Sequence, residues 1–311
     1  MDLNHLKYAV EVEKTKSITK AAENLFMGQP NLSRAIRDLE EILGIRIFRR
    51  TSRGVVPAQQ GEEFLTYAKN ILNQVDEMEA LYRPAGKDKL LFSISVPRAS
   101  YISYAFSKMV AELDLSTSIE FHFKETNNME AINNILQNNY HLGILRYQSS
   151  HEKYFTNVLR SKELAFETIW EFEYLALMSE AHPLAKKKDI TYADLSQYIE
   201  IAHEDMYVPS LPLAEVKKTE LPEWIKNRIF VMERGSQFDL LCMAPTTYIW
   251  VSAIPAELLR RYSLVQRKCR EAARKYKDVL IYGKNYRFSE LDNKFLDYLE
   301  QSKTEVSREY D

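Results

Sequence analysis

Apolar residues at Leu3, Leu6 and Val10 step by three and four, the spacing that lines one face of a helix. Ser17 stands at an N-cap position, and Ile18, Ala21, Ala22 and Leu25 form the apolar side of a short second helix. The small side chains at 21 and 22 allow another helix to cross closely. After a turn at Phe26-Met27-Gly28, the inward positions Leu32, Ile36, Leu39 and Leu43 predict a third helix. Its opposite face carries Ser33, Arg34 and Arg37, and Gln29, Pro30 and Asn31 lie at its N-terminal tip. Pro30 fits there because first-turn N–H groups lack helical partners anyway. Ile45-Arg46-Ile47-Phe48, the turn Thr51-Ser52-Arg53-Gly54 and Val55-Val56 predict a short hairpin with Arg50 and Arg53 at its tip.

No proline interrupts the chain from Ala58 to Tyr82. Phe64, Ala68, Ile71, Val75 and Met78 recur at alternating steps of four and three. That repeat favours pairing with a second helix, the alternative being a helix laid on its own domain. These five residues are the candidate dimer seam, and Pro84-Ala85-Gly86 predicts a hinge after it. From Leu90 strands and helices alternate: strands at 90–96, 118–123 and 142–145, helices at 101–113 and 129–138, and further strands at 173–178, 229–232, 248–251 and 278–282. This rhythm predicts an open, largely parallel α/β sheet, closed by a helix built on Leu291, Phe295 and Leu299.

Charge sharpens the picture. Segment 14–53 holds nine basic and four acidic residues, a net +5, whereas the 311-residue chain nets −2. A basic head on an acidic body suits a module that meets phosphates while the rest stays off them. Two short helices joined by a tight turn, the second basic on its outer face, describe a helix-turn-helix. In that motif the second helix enters the major groove, where Gln29 can pair with adenine and Arg34 or Arg37 with guanine or a phosphate. The hairpin would lie along the backbone or reach a minor groove.

The run Ser17-Ile18-Thr19-Lys20-Ala21-Ala22-Glu23-Asn24-Leu25 is similar to the N-terminus of LysR-type transcriptional regulators. So are Gln29 to Ile36, Leu39-Glu40-Glu41-Ile42-Leu43-Gly44, Phe48-Arg49-Arg50 and Gly61. The resemblance implies an α+β multi-domain chain: a winged helix-turn-helix, a long linker helix, and a two-lobed α/β effector domain like that of periplasmic binding proteins. It implies DNA contacts at Gln29, Pro30, Ser33, Arg34 and Arg53, with Ser17 and Thr19 nearer the phosphates. Asn31, Arg37 and Arg50 complete the expected set. It also implies homodimers that commonly pair into tetramers. The expected domains are 1–57, 58–86 and 87–311, with lobe 1 at about 87–162 and 268–311 and lobe 2 at about 163–267. The chain would cross between lobes near Arg160–Phe166 and Val265–Arg270. Gly28 and Ala58 replace hydroxyl residues common in the family, which removes a phosphate contact at 28.

Ligands in open α/β sheets bind at the carboxyl ends of strands. Ser100, Thr126 and Asn127, with Arg98, Arg146 and Arg234 to neutralise an anion and His203 and Ser236 nearby, are the candidate effector contacts. His141, Met243-Ala244-Pro245 and the basic run from Arg267 to Lys277 depart from the family pattern. The run reads most simply as a solvated loop, a second DNA-contacting surface being the alternative.

Two cysteines, Cys242 and Cys269, make no disulfide framework, and the six histidines show no metal-binding spacing, so no metal or cofactor is expected. No nucleophile motif is present. The apolar neighbours of Cys242 predict core packing, and His182 falls in the turn of a family-like His182-Pro183-Leu184-Ala185. The opening residues carry no signal-peptide pattern and no stretch nears the roughly 20 apolar residues of a membrane span, so a cytoplasmic chain without a membrane partner is expected. A two-lobed solute-binding protein or small-molecule enzyme is the competing reading. The basic head opposes it.

Overall fold

The computed structural model describes residues 1–51, 54–82, 89–114, 116–203, 225–232, 234–272 and 274–308. The chain divides into two units, Met1–Asp88 and Lys89–Asp311.

In the first unit the periodic segments become α1 (Leu3–Thr15), α2 (Ile18–Asn24) and α3 (Gln29–Leu43). Asp2 caps α1 by accepting the His5 N–H at 3.0 Å, and Ser17 caps α2 by accepting the Lys20 N–H. Gly44, at φ 65°, ends α3. Ala9 and Val12 of α1, Ala21 and Ala22 of α2, and Leu32, Ile36 and Leu39 of α3 close one core. The hairpin is β1 (Phe48–Thr51) and β2 (Gly54–Pro57), antiparallel from Phe48↔Pro57 to Thr51↔Gly54. It starts later than the expected Ile45 because the Glu40 carboxylate accepts the N–H groups of both Ile47 and Phe48, at 2.7 and 3.0 Å. Helix α4 (Gln59–Tyr82) follows. Gly61 lets it start there: a Cβ would come within 2.0 Å of the Ile47 carbonyl oxygen.

The second unit holds two five-stranded sheets. The first comprises β3 (Leu90–Val96), β4 (Ile119–Glu125), β5 (Leu142–Gln148), β6 (Leu164–Glu173) and β12 (Lys275–Gly283), in the order β4-β3-β5-β12-β6. The second comprises β7 (Leu175–Ser179), β8 (Ile199–His203), β9 (Arg228–Val231), β10 (Thr247–Val251) and β11 (Leu264–Arg267), in the order β11-β7-β10-β8-β9. Helices α5 (Ser100–Ala111), α6 (Asn128–Gln137) and α7 (Glu152–Ser161) accompany the first sheet, and α8 (Tyr192–Leu195), α9 (Arg234–Met243) and α10 (Ala256–Tyr262) accompany the second. The closing helix α11 (Glu290–Arg308) packs on α5, sending Phe295 and Leu299 into the same core as Phe92, Ile94 and Ile102.

Three expectations are corrected. The sheets are mixed: β3 is parallel to β4 and β5, and β8 to β9 and β10, but β12, β7 and β11 run antiparallel to their neighbours. Strand β6 belongs to the first sheet, paired along its length with β12, so the chain crosses at Tyr174 rather than near Arg160–Phe166. Burial along 164–173 does not alternate cleanly and its pairing partner β12 comes about a hundred residues later, so no local pattern announced the strand. The return crossing lies between β11 and β12, after Arg267. Cys242, finally, is exposed on α9, and its neighbour Met243 is 85% exposed, so this helix turns that stretch to solvent.

Candidate functional site

Helix α3 separates its two faces sharply. Leu32, Ile36 and Leu39 are buried, whereas Gln29, Pro30, Asn31, Arg34 and Arg37 are exposed and Ser33 is half-buried. The exposed set occupies the N-terminal turn and one outward stripe of a single rigid element. Gly28 begins the helix with no side-chain cap, Pro30 has no N–H to offer, and the Asn31 N–H donates to the Gly28 carbonyl at 2.9 Å. Thr19 is exposed at the start of α2, and Ser17 spends its hydroxyl oxygen on the cap. Arg50 is exposed on β1, and Arg53 lies outside the described residues.

The predicted seam on α4 is corrected in its first half. Ala68 is 1% exposed, and Leu65 and Phe64 pack into the core of their own unit. A Lys69–Glu13 ion pair at 2.8 Å ties the same stretch to α1. Beyond that point the apolar residues face out: Ile71 is 39% and Met78 54% exposed, Tyr67 is exposed beside them, and Val75 is half-buried. The reading of a helix laid on its own domain thus describes the first half, while the second half presents an exposed apolar stripe.

In the second unit strand direction assembles the other candidates. β6 runs parallel to β5 and ends at its carboxyl end, and β7 starts at the carboxyl end of β10, with Leu175 opposite Val251. Only Tyr174 separates β6 from β7. The carboxyl ends of the parallel strands in both sheets therefore lie at the crossing. Ser100, buried, opens α5 after β3, and Arg98 is half-buried in the loop before it. The Thr126 N–H donates to the Val96 carbonyl at 2.8 Å, holding the end of β4 to that of β3. Asn127 caps α6 by accepting the Glu130 N–H, so its oxygen is committed. His203 ends β8, with Nδ1 3.4 Å from the Val231 carbonyl oxygen. Arg234 and Ser236 fall in α9, and their side chains lie outside the described residues.

Arg146 is not the free cation the sequence suggested. Its guanidinium grips Asp278 with two bonds, Nε to Oδ1 at 2.7 Å and Nη2 to Oδ2 at 2.6 Å, while the Tyr101 hydroxyl donates to Asp278 at 2.6 Å. The Phe172 ring lies 4.7 Å from the guanidinium carbon. Burial works against the charge of Arg146, but Asp278 outweighs it and holds the guanidinium protonated. Burial, then the Asp278 charge, push the Tyr101 hydroxyl well above its ordinary range. The missed members, Asp278 and Tyr101, had one legible signal: an acid opening the apolar run Val279-Leu280-Ile281 needs a buried partner.

The basic run is also accounted for. Arg267 bonds the carbonyls of Ala185 and Gln266, Arg270 pairs with Asp189 at 3.1 Å, Lys275 with Glu171 at 3.3 Å and Lys277 with Glu152 at 2.8 Å. Four cations of the run thus have partners within the chain, and Arg270 and Lys275 stay largely exposed, as the solvated-loop reading expects. His182 is 3% exposed, accepts the Leu184 N–H at 3.0 Å and lies 4.4 Å from the Tyr198 ring, a structural histidine as expected. Among the described residues no cluster of three metal-ligating side chains occurs and no helix is long and apolar enough to cross a membrane.

Residues 3–62 match the family model of the bacterial regulatory helix-turn-helix protein, lysR family. An uncharacterized HTH-type transcriptional regulator, YnfL of Escherichia coli, is 28% identical over 63% of this chain and 64% of its own length. The HTH-type transcriptional regulator AlsR of Bacillus subtilis is 26% identical over 85% of this chain and 83% of its own. The structure of full-length CbnR complexed with target DNA shares the fold at a TM-score of 0.56 and 17% identity, covering 97% of this chain and all of that one. Residues 3–62 therefore carry a helix-turn-helix of the lysR family type, and the chain as a whole is similar to these regulators and shares the fold of CbnR.

Proposed function

We propose that this chain is a sequence-specific DNA-binding transcriptional regulator whose operator affinity is set by a small molecule bound between its two α/β lobes. One observation carries the DNA half: the outward face of α3 collects Gln29, Asn31, Arg34 and Arg37 on a helix whose inward face is fully packed. A basic helix with an exposed N-terminal turn fits a major groove, and Arg50, with Arg53 as the sequence suggests, supplies phosphate or minor-groove contacts. Duplex reading by two heads needs a dimer, and Ile71, Val75 and Met78 offer the apolar seam. The effector half rests on the strand ends, where Ser100, Thr126, Arg98 and His203 stand, with Arg234 and Ser236 expected there from sequence. Arg98 and Arg234 are the candidates for an anionic effector by their place after strand ends, as the sequence suggests. A ligand there would favour one of two lobe arrangements.

Selection of duplexes from a random pool by the full chain, followed by footprinting, tests this. The expected result is a two-fold-related sequence protected in two half-sites a helical turn or more apart. Recovery of no sequence at low salt overturns the reading. A thermal-shift panel of small carboxylates tests the effector half, where no stabilisation at millimolar ligand counts against an anion.

A further inference from the structure

The two chain crossings are not the only ties between the lobes. Ser252-Ala253-Ile254-Pro255 leaves β10 of the second sheet, yet Ala253, 5% exposed, is buried in the first sheet's core with Ile94, Ile102 and Phe295. Gln266 of β11 fixes this segment from its own lobe, accepting the Ile254 N–H at 2.9 Å and donating to the Ser252 carbonyl at 3.1 Å. The helix that follows, α10, sets Glu257 against the other lobe, where the Tyr104 hydroxyl of α5 donates to its Oε2 at 2.6 Å. Tyr104 stands four residues after Ser100, so one face of α5 carries both this hydroxyl and a candidate effector contact. Each partner is braced from its own side. Lys108 lies over the Tyr104 ring, Nζ 4.5 Å from the centroid, and pairs with Glu305 of α11 at 3.4 Å. Arg261 donates to Glu257 Oε1 at 2.8 Å.

The Tyr104 hydroxyl holds the Glu257 carboxyl below its usual range, while burial and then the bond to Glu257 push that hydroxyl up to about 12. At neutral pH the donor therefore keeps its proton and the acceptor its charge, and such a charge-assisted bond is stronger than a neutral one. Tyr104 is half-buried and Glu257 is 49% exposed, so water can take the place of either partner when the lobes part. A relative shift of about 1 Å breaks the bond, since Tyr104 moves with one lobe and Glu257 with the other. We propose that Tyr104 and Glu257 form a latch that holds one lobe arrangement, and that a small molecule bound at Ser100 acts with or against it through α5. The latch is a property of the unliganded chain; its bearing on the effector and on operator affinity rests on the regulator reading.

Hydrogen exchange of the full chain, with neither DNA nor small molecule present, tests the latch. The reporters are the Ile254 N–H, bonded to Gln266 beside the buried Ala253, and the Ser103 N–H, bonded to the Ala99 carbonyl in the first turn of α5. Tyr104→Phe and Glu257→Ala are each expected to speed exchange there at least threefold, with amides between β5 and β12 unchanged, as for a local opening. Glu257→Gln, which keeps an acceptor for the hydroxyl, and Arg261→Ala, which removes only the ion pair, should stay within twofold of wild type. No acceleration in Tyr104→Phe and Glu257→Ala, acceleration spread evenly into β5 and β12, or equal acceleration in Arg261→Ala overturns the proposal. Because no DNA or ligand enters the measurement, its failure is distinct from failure of the regulator reading.

Discussion

The Arg146 guanidinium and the Asp278 carboxylate face each other across neighbouring strands, at 2.7 and 2.6 Å, with side chains 8% and 0% exposed. Removing one partner leaves the other as an uncompensated buried charge, which costs about 3–5 kcal/mol. Asp278→Asn is therefore expected to destabilise the second unit by about 3 kcal/mol in urea unfolding of the full chain. A Tyr101→Phe, Arg146→Met, Asp278→Leu triple variant should recover most of that loss, since no polar group of the cluster remains unpaired. A single substitution that left the transition unmoved would mean the pair is not buried in solution.

The two halves of α4 make opposite predictions. Ala68→Asp places a carboxylate against α1 and is expected to unfold the first unit. Ile71→Asp and Met78→Asp, on exposed positions, should leave the melting transition of each monomer nearly unchanged while the sedimenting species falls to a monomer. Retention of the wild-type oligomer in the Ile71→Asp, Met78→Asp double variant would remove α4 from the interface.

His182 gives a pH dependence of known sign. Burial lowers its pKa from 6.5 to about 4. A base depressed in the folded state favours folding above its unfolded pKa, and that contribution is lost as pH falls from about 6.5 through 4. Stability of the second unit is expected to drop by about 1–3 kcal/mol across that window, on top of any carboxylate effects, and His182→Phe should flatten this part of the profile. An identical pH profile for wild type and variant would contradict the burial.

The helix-turn-helix was legible because its information is local. The spacing of Leu32, Ile36 and Leu39 states which face is inward, Ser17 and Gly44 mark helix ends, and the basic residues follow from what is left outside. The seam was half legible: a repeat on α4 reports an apolar stripe but not which body covers it, and α1 takes Leu65 and Ala68. The lobe boundary was not legible, because β6 is a strand of the first sheet only through pairing with β12, about a hundred residues later. Arg146 was misassigned for the same reason. Its partner Asp278 comes from that distant strand, and a lone arginine at a strand end looks the same whether an anion or a carboxylate of the chain satisfies it.

The central claim is that the outward face of α3 reads duplex DNA, and the salt dependence of binding to the selected operator tests it most directly. The logarithm of the affinity should fall linearly with the logarithm of salt concentration, with a slope set by the phosphates neutralised. Arg34→Ala should cost about 1–3 kcal/mol of operator binding if it pairs with a base, or lower the slope by about one if it meets a phosphate, with the melting transition unchanged. Affinity, sequence preference and salt slope all unaltered in an Arg34→Ala, Arg37→Ala variant would contradict the account.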